Sequence, residues 1–134
     1  MPADLRALHD EMSTALAELD RLTASDSPDH IAIPAARLRL SRASGRRRRL
    51  VDAMTTRLLG SVSPADSDRL RALREINAAQ LHASTSHIGK WGMRHALEDW
   101  AGYCEASKRM RQSLRDLMAE DRRTLYPLLD RKAP

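Results

Sequence analysis

A carboxylate stands on the apolar side of the last amphipathic segment of this chain. In the stretch MAEDRRTLYPLL, residues 118–129, Asp121 shares a helical stripe with Leu114, Leu117 and Leu125. An ionised carboxylate on a buried face is costly unless a metal ion or a cationic side chain neutralises it. The position therefore predicts either a metal ligand or one half of a buried ion pair.

Histidines are the natural partners of such a carboxylate in a metal site. His9 lies in the first helical segment, whereas His82 and His87 are five residues apart. That spacing turns them about 140° from each other on a helix, while a spacing of four would align them. His82 and His87 are accordingly interpreted as surface or partly buried residues. A bend that turned His87 inward would leave a single-metal site with His9 open.

A run of arginines, GRRRRL at residues 45–50, is the candidate for binding phosphate or an acidic surface, and the net charge of +5 permits an acidic partner. Consecutive helical residues lie about 100° apart, so four of them spread around the helix. No interleaved aromatic residue or recognition motif accompanies them, which favours a solvated face over nucleic-acid binding. Docking of an acidic protein remains the alternative. The possible interaction surface comprises Arg42, Arg46, Arg47, Arg48 and Arg49.

Other chemistries find little support in the sequence. Cys104 is the only cysteine, which excludes an internal disulfide and favours a small buried hydrophobe. There is no glycine-rich phosphate loop, nucleophile elbow or Glu-x-x-His pair, so no catalytic residues and no enzymatic activity are predicted. No secretory or membrane-spanning segment is recognisable, which makes a cytoplasmic location and no membrane contact the expectation.

Four amphipathic segments must position these residues. Apolar residues at three- and four-residue steps predict helices over approximately 3–23, 34–59, 64–89 and 95–126. Ser63 is expected to cap the third helix, and Pro127 to stop the fourth. The inward stripe of the third helix is predicted to comprise Leu70, Leu73, Asn77, Leu81, Ser84 and Ile88.

The composition suits packed helices. Hydrophobic residues make up 42% of the 134 residues, yet there is no Phe and aromatic residues contribute only 3%. Short connections between four amphipathic helices predict one domain, residues 1–134, with an all-α fold: an antiparallel up-down-up-down four-helix bundle.

An internal repeat relates the two halves of the chain. LRALHDEM at 5–12 recurs as LRALREIN at 70–77, and LVDAM at 50–54 recurs as LRDLM at 114–118. Together with the Leu-Tyr-Pro ending, these stretches resemble the hemerythrin-like (HHE cation-binding) family. EDWAGYCEA at 98–106 is also similar to the fourth-helix entry of some bacterial members. The resemblance implies two helix pairs that together enclose a di-iron centre.

Transferred to this chain, most of the family's ligand positions are lost. His9 and Asp121 match ligand positions, as remnants of a metal site. The other positions fall on residues that do not bind metals: Ala53, Arg57, Arg74, Ala78 and Leu117. A di-iron centre needs about five or more protein ligands. The resemblance therefore implies a degenerate site with no metal or other cofactor, with iron retained only in an altered-site alternative.

Arginines at neighbouring ligand positions could neutralise Asp121, because a guanidinium matches a carboxylate bidentately. The hypothesis is a polar core cluster that replaced the metal. In the alternative, both arginines reach solvent and Asp121 lies at a solvated end of the bundle. The predicted cluster comprises His9, Arg57, Arg74, Asn77 and Asp121.

The function expected on these grounds is a non-enzymatic binding or regulatory module, with a role in signalling and an unidentified, acidic protein partner or a second copy of itself. One alternative is an altered metal-binding protein that senses or stores oxygen, nitric oxide or iron. The other is a basic protein associated with nucleic acid.

Overall fold

Residues 2–132, which the computed structural model describes, form five helices and no strand. The long helices are α1 (Pro2–Thr23), α2 (Ala32–Leu59), α3 (Pro64–Lys90) and α5 (Trp100–Lys132), and the short α4 (Met93–Glu98) lies between α3 and α5. The prediction of an all-α chain is confirmed. The predicted domain, residues 1–134, also includes residues 1, 133 and 134, which lie outside the described part. None of the described helices combines the length and apolarity needed to cross a bilayer.

Side-chain caps fix where α2 and α3 begin. Ser63 Oγ accepts a hydrogen bond from the backbone N–H of Asp66 at 3.2 Å, as its position before Pro64 predicts. Asp29 Oδ1 accepts from the N–H groups of Ile31 and Ala32 at 3.0 and 2.8 Å. These backbone donors lower the pKa of Asp29. Asp29 therefore starts α2 at Ala32, two residues before the predicted start at residue 34.

The fourth predicted helix, 95–126, is wrong at both ends. The predicted helix is interrupted at Asp99, between α4 and α5. Asp99 Oδ1 accepts a hydrogen bond from the backbone N–H of Gly102 at 3.0 Å and so caps α5. A Cβ atom at residue 102 would lie 2.3 Å from Asp99 Oδ2, so glycine leaves room for this cap. At the other end, α5 continues through Pro127. Burial of Leu128 and Leu129 in the core offsets the backbone hydrogen bond that proline cannot donate.

Within the described helices, buried apolar side chains form two clusters. The first core cluster joins the later part of α1, the early part of α2, the first two-thirds of α5 and Trp91. The second core cluster joins the beginnings of α1 and α3 to the ends of α2 and α5. One buried polar residue of each long helix falls at the boundary between these clusters. This polar layer consists of His9, Arg47, Asn77 and Asp121.

The second half of α3 departs from its predicted stripe. Ser67, Leu70, Leu73 and Asn77 are buried, but no side chain between residues 78 and 90 is. Leu81 and Ile88, which were expected in the core, are 45% and 51% exposed. Their sides of the helix face a cavity instead of a packed core.

Candidate functional site

A buried ion pair forms the centre of the polar layer. Asp121 is 0% exposed and Arg47 is 2% exposed. Arg47 Nε donates to Asp121 Oδ2 at 2.7 Å, and Arg47 Nη2 donates to Asp121 Oδ1 at 2.6 Å. This two-point geometry is the strongest pairing available to a carboxylate and a guanidinium. Asp121 is thus neutralised within the protein.

His9 and Tyr126 complete this ion cluster. His9 Nε2 lies 2.8 Å from Asp121 Oδ2, and His9 Nδ1 lies 2.6 Å from the Tyr126 hydroxyl. Because a carboxylate can only accept, the Nε2 atom carries the proton, and in the neutral ring Nδ1 accepts from the tyrosine. Burial raises the pKa of Tyr126, which keeps its hydroxyl a donor. The guanidinium of Arg6 lies 4.6 Å from the tyrosine ring centre. The ion cluster therefore comprises His9, Arg47, Asp121 and Tyr126.

The structure brings His9 and Asp121 into contact but not the two predicted arginines. Arg57 and Arg74 are exposed, and Arg74 donates to Thr56 Oγ1 at 2.7 Å. The prediction that they neutralise Asp121 is wrong, because both side chains lie on the solvent side of their helices and not at the inward positions that the repeat assigned to them. A solvated Asp121, the alternative, is equally wrong, since its side chain is fully buried.

Asn77 is buried, but it lies beside the ion cluster without bonding to it. Its Nδ2 donates to Asp52 Oδ1 at 3.1 Å. Its Oδ1 has no hydrogen-bond partner within the described residues. Asn77 therefore belongs to the polar layer without taking part in neutralising Asp121.

Arg47 was predicted to lie on the solvated arginine surface, and that assignment is wrong. The buried stripe of α2 runs through Ala36, Leu40, Ala43, Val51 and Met54. Position 47 stands four residues after Ala43 and four before Val51, so the helical period places its side chain in the core. This spacing was the sequence signal that could have identified Arg47. The physical requirement of Asp121 for a cation explains why an arginine is tolerated there.

The rest of the predicted arginine surface is solvated to different degrees. Arg42, Arg46 and Arg49 are exposed, and Arg46 Nη2 lies 3.3 Å from Glu11 Oε2. Arg48 is half-buried and lines a cavity instead. The exposed ridge is thus reduced to three arginines.

The residues of the ion cluster do not fit a di-iron centre. Both oxygens of Asp121 are engaged by Arg47, and a guanidinium can neither deprotonate nor coordinate a metal. Among residues 2–132, no three His, Cys, Asp or Glu side chains are grouped so that they could hold a metal ion. His82 is exposed, and His87 lines a cavity between α2, α3 and α5. The described residues thus lack the ligand set that a di-iron centre needs.

A cavity of about 300 Å³ lies beside the ion cluster, between α2, α3 and α5. Arg47 contributes to both. Among the described residues, four arginines line the cavity, and no Asp or Glu does: Arg37, Arg47, Arg48 and Arg111. Burial, together with the charge of Arg37, lowers the pKa of His87, which therefore stays neutral at neutral pH. The cavity is a positively charged, partly apolar site.

A second ion cluster joins α1 to α5 next to the cavity. Arg111 Nε donates to Asp20 Oδ1 at 2.8 Å, and Arg115 Nη2 donates to Asp20 Oδ2 at 2.5 Å. Arg111 is buried and also donates to Ser107 Oγ at 2.5 Å. Burial opposes ionisation of Asp20, but the bonds from Arg115 and Arg111 outweigh it and lower the pKa. No local sequence pattern predicts this cluster.

Comparison with known proteins gives no match: no protein-family model fits the sequence, and no curated protein or solved structure is detectably similar to it.

Proposed function

We propose that this protein is a non-enzymatic, hemerythrin-like four-helix bundle that acts as a binding or regulatory module. In this proposal the long helices run up, down, up and down. The composition of the second core cluster supports that arrangement. Leu5 and Leu70 from the beginnings of α1 and α3 join Leu58 and Leu128 from the ends of α2 and α5. Successive long helices that alternate in direction would bring these residues to the same end.

One observation carries the functional part of the proposal: Arg47 and His9 engage both oxygens of the Asp121 carboxylate through three hydrogen bonds. A permanent guanidinium charge occupies the place where a metal cation would have to bind the carboxylate. Such a centre repels cations and offers no open coordination position. Its contribution is structural, which leaves binding at other parts of the molecule as the activity.

Metal analysis tests this proposal. The full chain is purified without chelators, incubated with ferrous iron under anaerobic conditions, desalted, exposed to air and analysed for iron and zinc, with an absorbance spectrum. We expect substoichiometric metal and no oxo-to-iron charge-transfer band. One or two iron ions bound per chain would contradict the proposal and favour the alternative of an altered metal site that senses or stores oxygen, nitric oxide or iron.

A pair of variants shows whether the guanidinium excludes the metal. Arg47→His would place a third ligand beside His9 and Asp121, enough for a zinc site. Arg46→His, one residue earlier and exposed, is the matched control. We expect Arg47→His to retain zinc after desalting, and Arg46→His and the wild type to retain none. Equal zinc in all three proteins would contradict the proposal.

A further inference from the structure

The cavity carries positive charge that the protein does not balance. Two of its arginines are neutralised by carboxylates outside the lining: Arg47 by Asp121, and Arg111 by Asp20. The other two have no carboxylate within ion-pair distance among residues 2–132. A cavity that holds unpaired guanidinium groups and no acidic side chain attracts an anion.

Arg48 is the better placed of the two unpaired arginines. Arg37 Nη2 donates to the backbone oxygen of Trp91 at 2.6 Å, and its guanidinium carbon lies 5.4 Å from the centre of the Tyr103 ring. Arg48 is half-buried and forms no hydrogen bond or ion pair with any other residue of the described chain. Its five N–H donors therefore remain available to a ligand.

Uncharged donors also line the cavity. The hydroxyl groups of Ser41 and Ser44 on α2 and of Thr85 on α3 have no hydrogen-bond partner within residues 2–132. Ser44 lies one helical turn before Arg48, so the two side chains share a face of α2. A negatively charged group at Arg48 can accept from this serine as well.

Part of the remaining wall is apolar. Met110 and Leu114 of α5 and Leu81 and Ile88 of α3 contribute these apolar side chains to the cavity. The exposure of Leu81 and Ile88 places them at its mouth. Covering these two side chains with an apolar ligand would remove hydrophobic surface from water. The volume of the cavity also matches the lower end of small-molecule sites, about 300–1,000 Å³.

We propose that this cavity binds a small organic acid with an apolar body. Its carboxylate pairs with Arg48, and its body lies between Leu81, Ile88 and the facing side of α5. This inference deepens the proposed binding role by naming a ligand class. Metal content and anion binding are separate measurements, so either proposal can fail without the other.

Calorimetric titration of the full chain with octanoate tests the inference, with octan-1-ol as the uncharged probe of the same length. We expect saturable binding of one octanoate per chain, weakened by added salt. Octan-1-ol should bind about tenfold more weakly or worse, because it lacks the charge-assisted bonds. Equal affinity for both probes, or no saturable binding of octanoate at millimolar concentrations, would overturn the proposal.

A pair of charge-matched variants tests whether Arg48 binds the carboxylate of octanoate. Arg48→Gln should weaken octanoate binding about tenfold. Arg42→Gln removes the same charge from the same helix, but at an exposed position outside the cavity. It should change the affinity less than about twofold, because exposed charges are screened. Equal weakening in both variants would mean that octanoate is attracted by the overall surface charge of the protein, which contradicts a site at Arg48.

Filling the cavity gives a second, independent readout. Ser84→Phe places a ring inside, and Ala83→Phe places the same ring on the exposed neighbouring position. Circular dichroism and thermal melting confirm that both variants are folded. Ser84→Phe should abolish octanoate binding, and Ala83→Phe should leave it intact. Unchanged binding by a folded Ser84→Phe protein would rule out this cavity as the site.

Discussion

Asp121 accepts hydrogen bonds from three nitrogen atoms, two of Arg47 and one of His9, while fully removed from solvent. Removing both charges from water costs free energy that the pairing largely offsets, so the intact pair adds little net stability. Removing one partner of the pair, by contrast, lowers the free energy of unfolding, because the remaining partner stays buried with its charge uncompensated.

Asp121→Leu is therefore expected to lower the free energy of unfolding by about 3–5 kcal/mol, because Arg47 is left without a counter-ion. Urea denaturation followed by circular dichroism measures the change. Asp116→Leu is the matched control, since Asp116 is exposed on the same helix and bonds only to Gln112 within the described chain. Its effect should stay within about 0.5 kcal/mol. Similar losses in both variants would show that burial of Asp121 is not the cause.

The residues of the ion cluster differ in how well the sequence predicts their burial. Asp121 and His9 stand in regular amphipathic segments, and their inward positions follow from the spacing of the leucines around them. Arg47 stands in a run of four arginines, where composition suggests a solvated surface. Its inward position follows from its four-residue spacing to Ala43 and Val51, but its pairing with a carboxylate on α5, 74 residues away, is not encoded in a local pattern.

At the scale of elements, Asp20 ties α1 to α5 through Arg111 and Arg115. Its lowered pKa has a defined consequence for stability. A carboxylate with a lowered folded-state pKa stabilises the fold at pH values above its ordinary value of 3.8. This contribution disappears as the pH falls through the lowered pKa, because the carboxylate is then protonated in both states.

Asp20→Asn should accordingly melt at a lower temperature than the wild type at pH 7, and the difference should shrink as the pH is lowered below 3.8. Melting curves recorded from pH 7 to strongly acidic pH give the comparison. Asp26→Asn, in the exposed connection between α1 and α2, should match the wild type throughout. A difference at pH 7 that persisted undiminished in acid would refute the ionic explanation.

Helix positions were more predictable than their ends. Leucine spacing locates all four long helices, since burial of one face dominates their stability. The break at Asp99 and the passage of α5 through Pro127 depend on a local cap and on tertiary burial of Leu128 and Leu129.

The cavity was unpredictable for a related reason. The stripe through Leu81 and Ile88 has helical spacing, but the sequence does not show that no partner packs against it.

At the scale of the whole molecule, the polar layer separates two apolar core clusters. An ion pair between α2 and α5 is satisfied in one helix register alone, whereas leucine layers tolerate displacement by a turn. We therefore expect the polar layer to contribute specificity of packing more than stability.

The triple variant His9→Leu, Arg47→Met, Asp121→Leu is expected to unfold with a free energy at or above that of the wild type, by up to about 4 kcal/mol. Apolar side chains of similar size need no desolvation of charge. Urea denaturation in parallel with the single variant Asp121→Leu provides the comparison, because the single variant strands Arg47 and the triple variant does not. A triple variant as unstable as Asp121→Leu would show that the charges themselves stabilise the fold.

The sparse packing of α3 has a consequence for motion. Between residues 78 and 90 no side chain is buried, and within the described chain the side-chain hydrogen bonds of this half to α5 are those of Gln80 and Ser84 to the sulfur of Met110, at 3.3 and 3.7 Å. Amide protons there should exchange with solvent water sooner than those of α1 and α5. We expect this half to open locally between two anchors, the leucines of the first half of α3 and the buried Trp91 that follows the helix, and each such opening would expose the cavity.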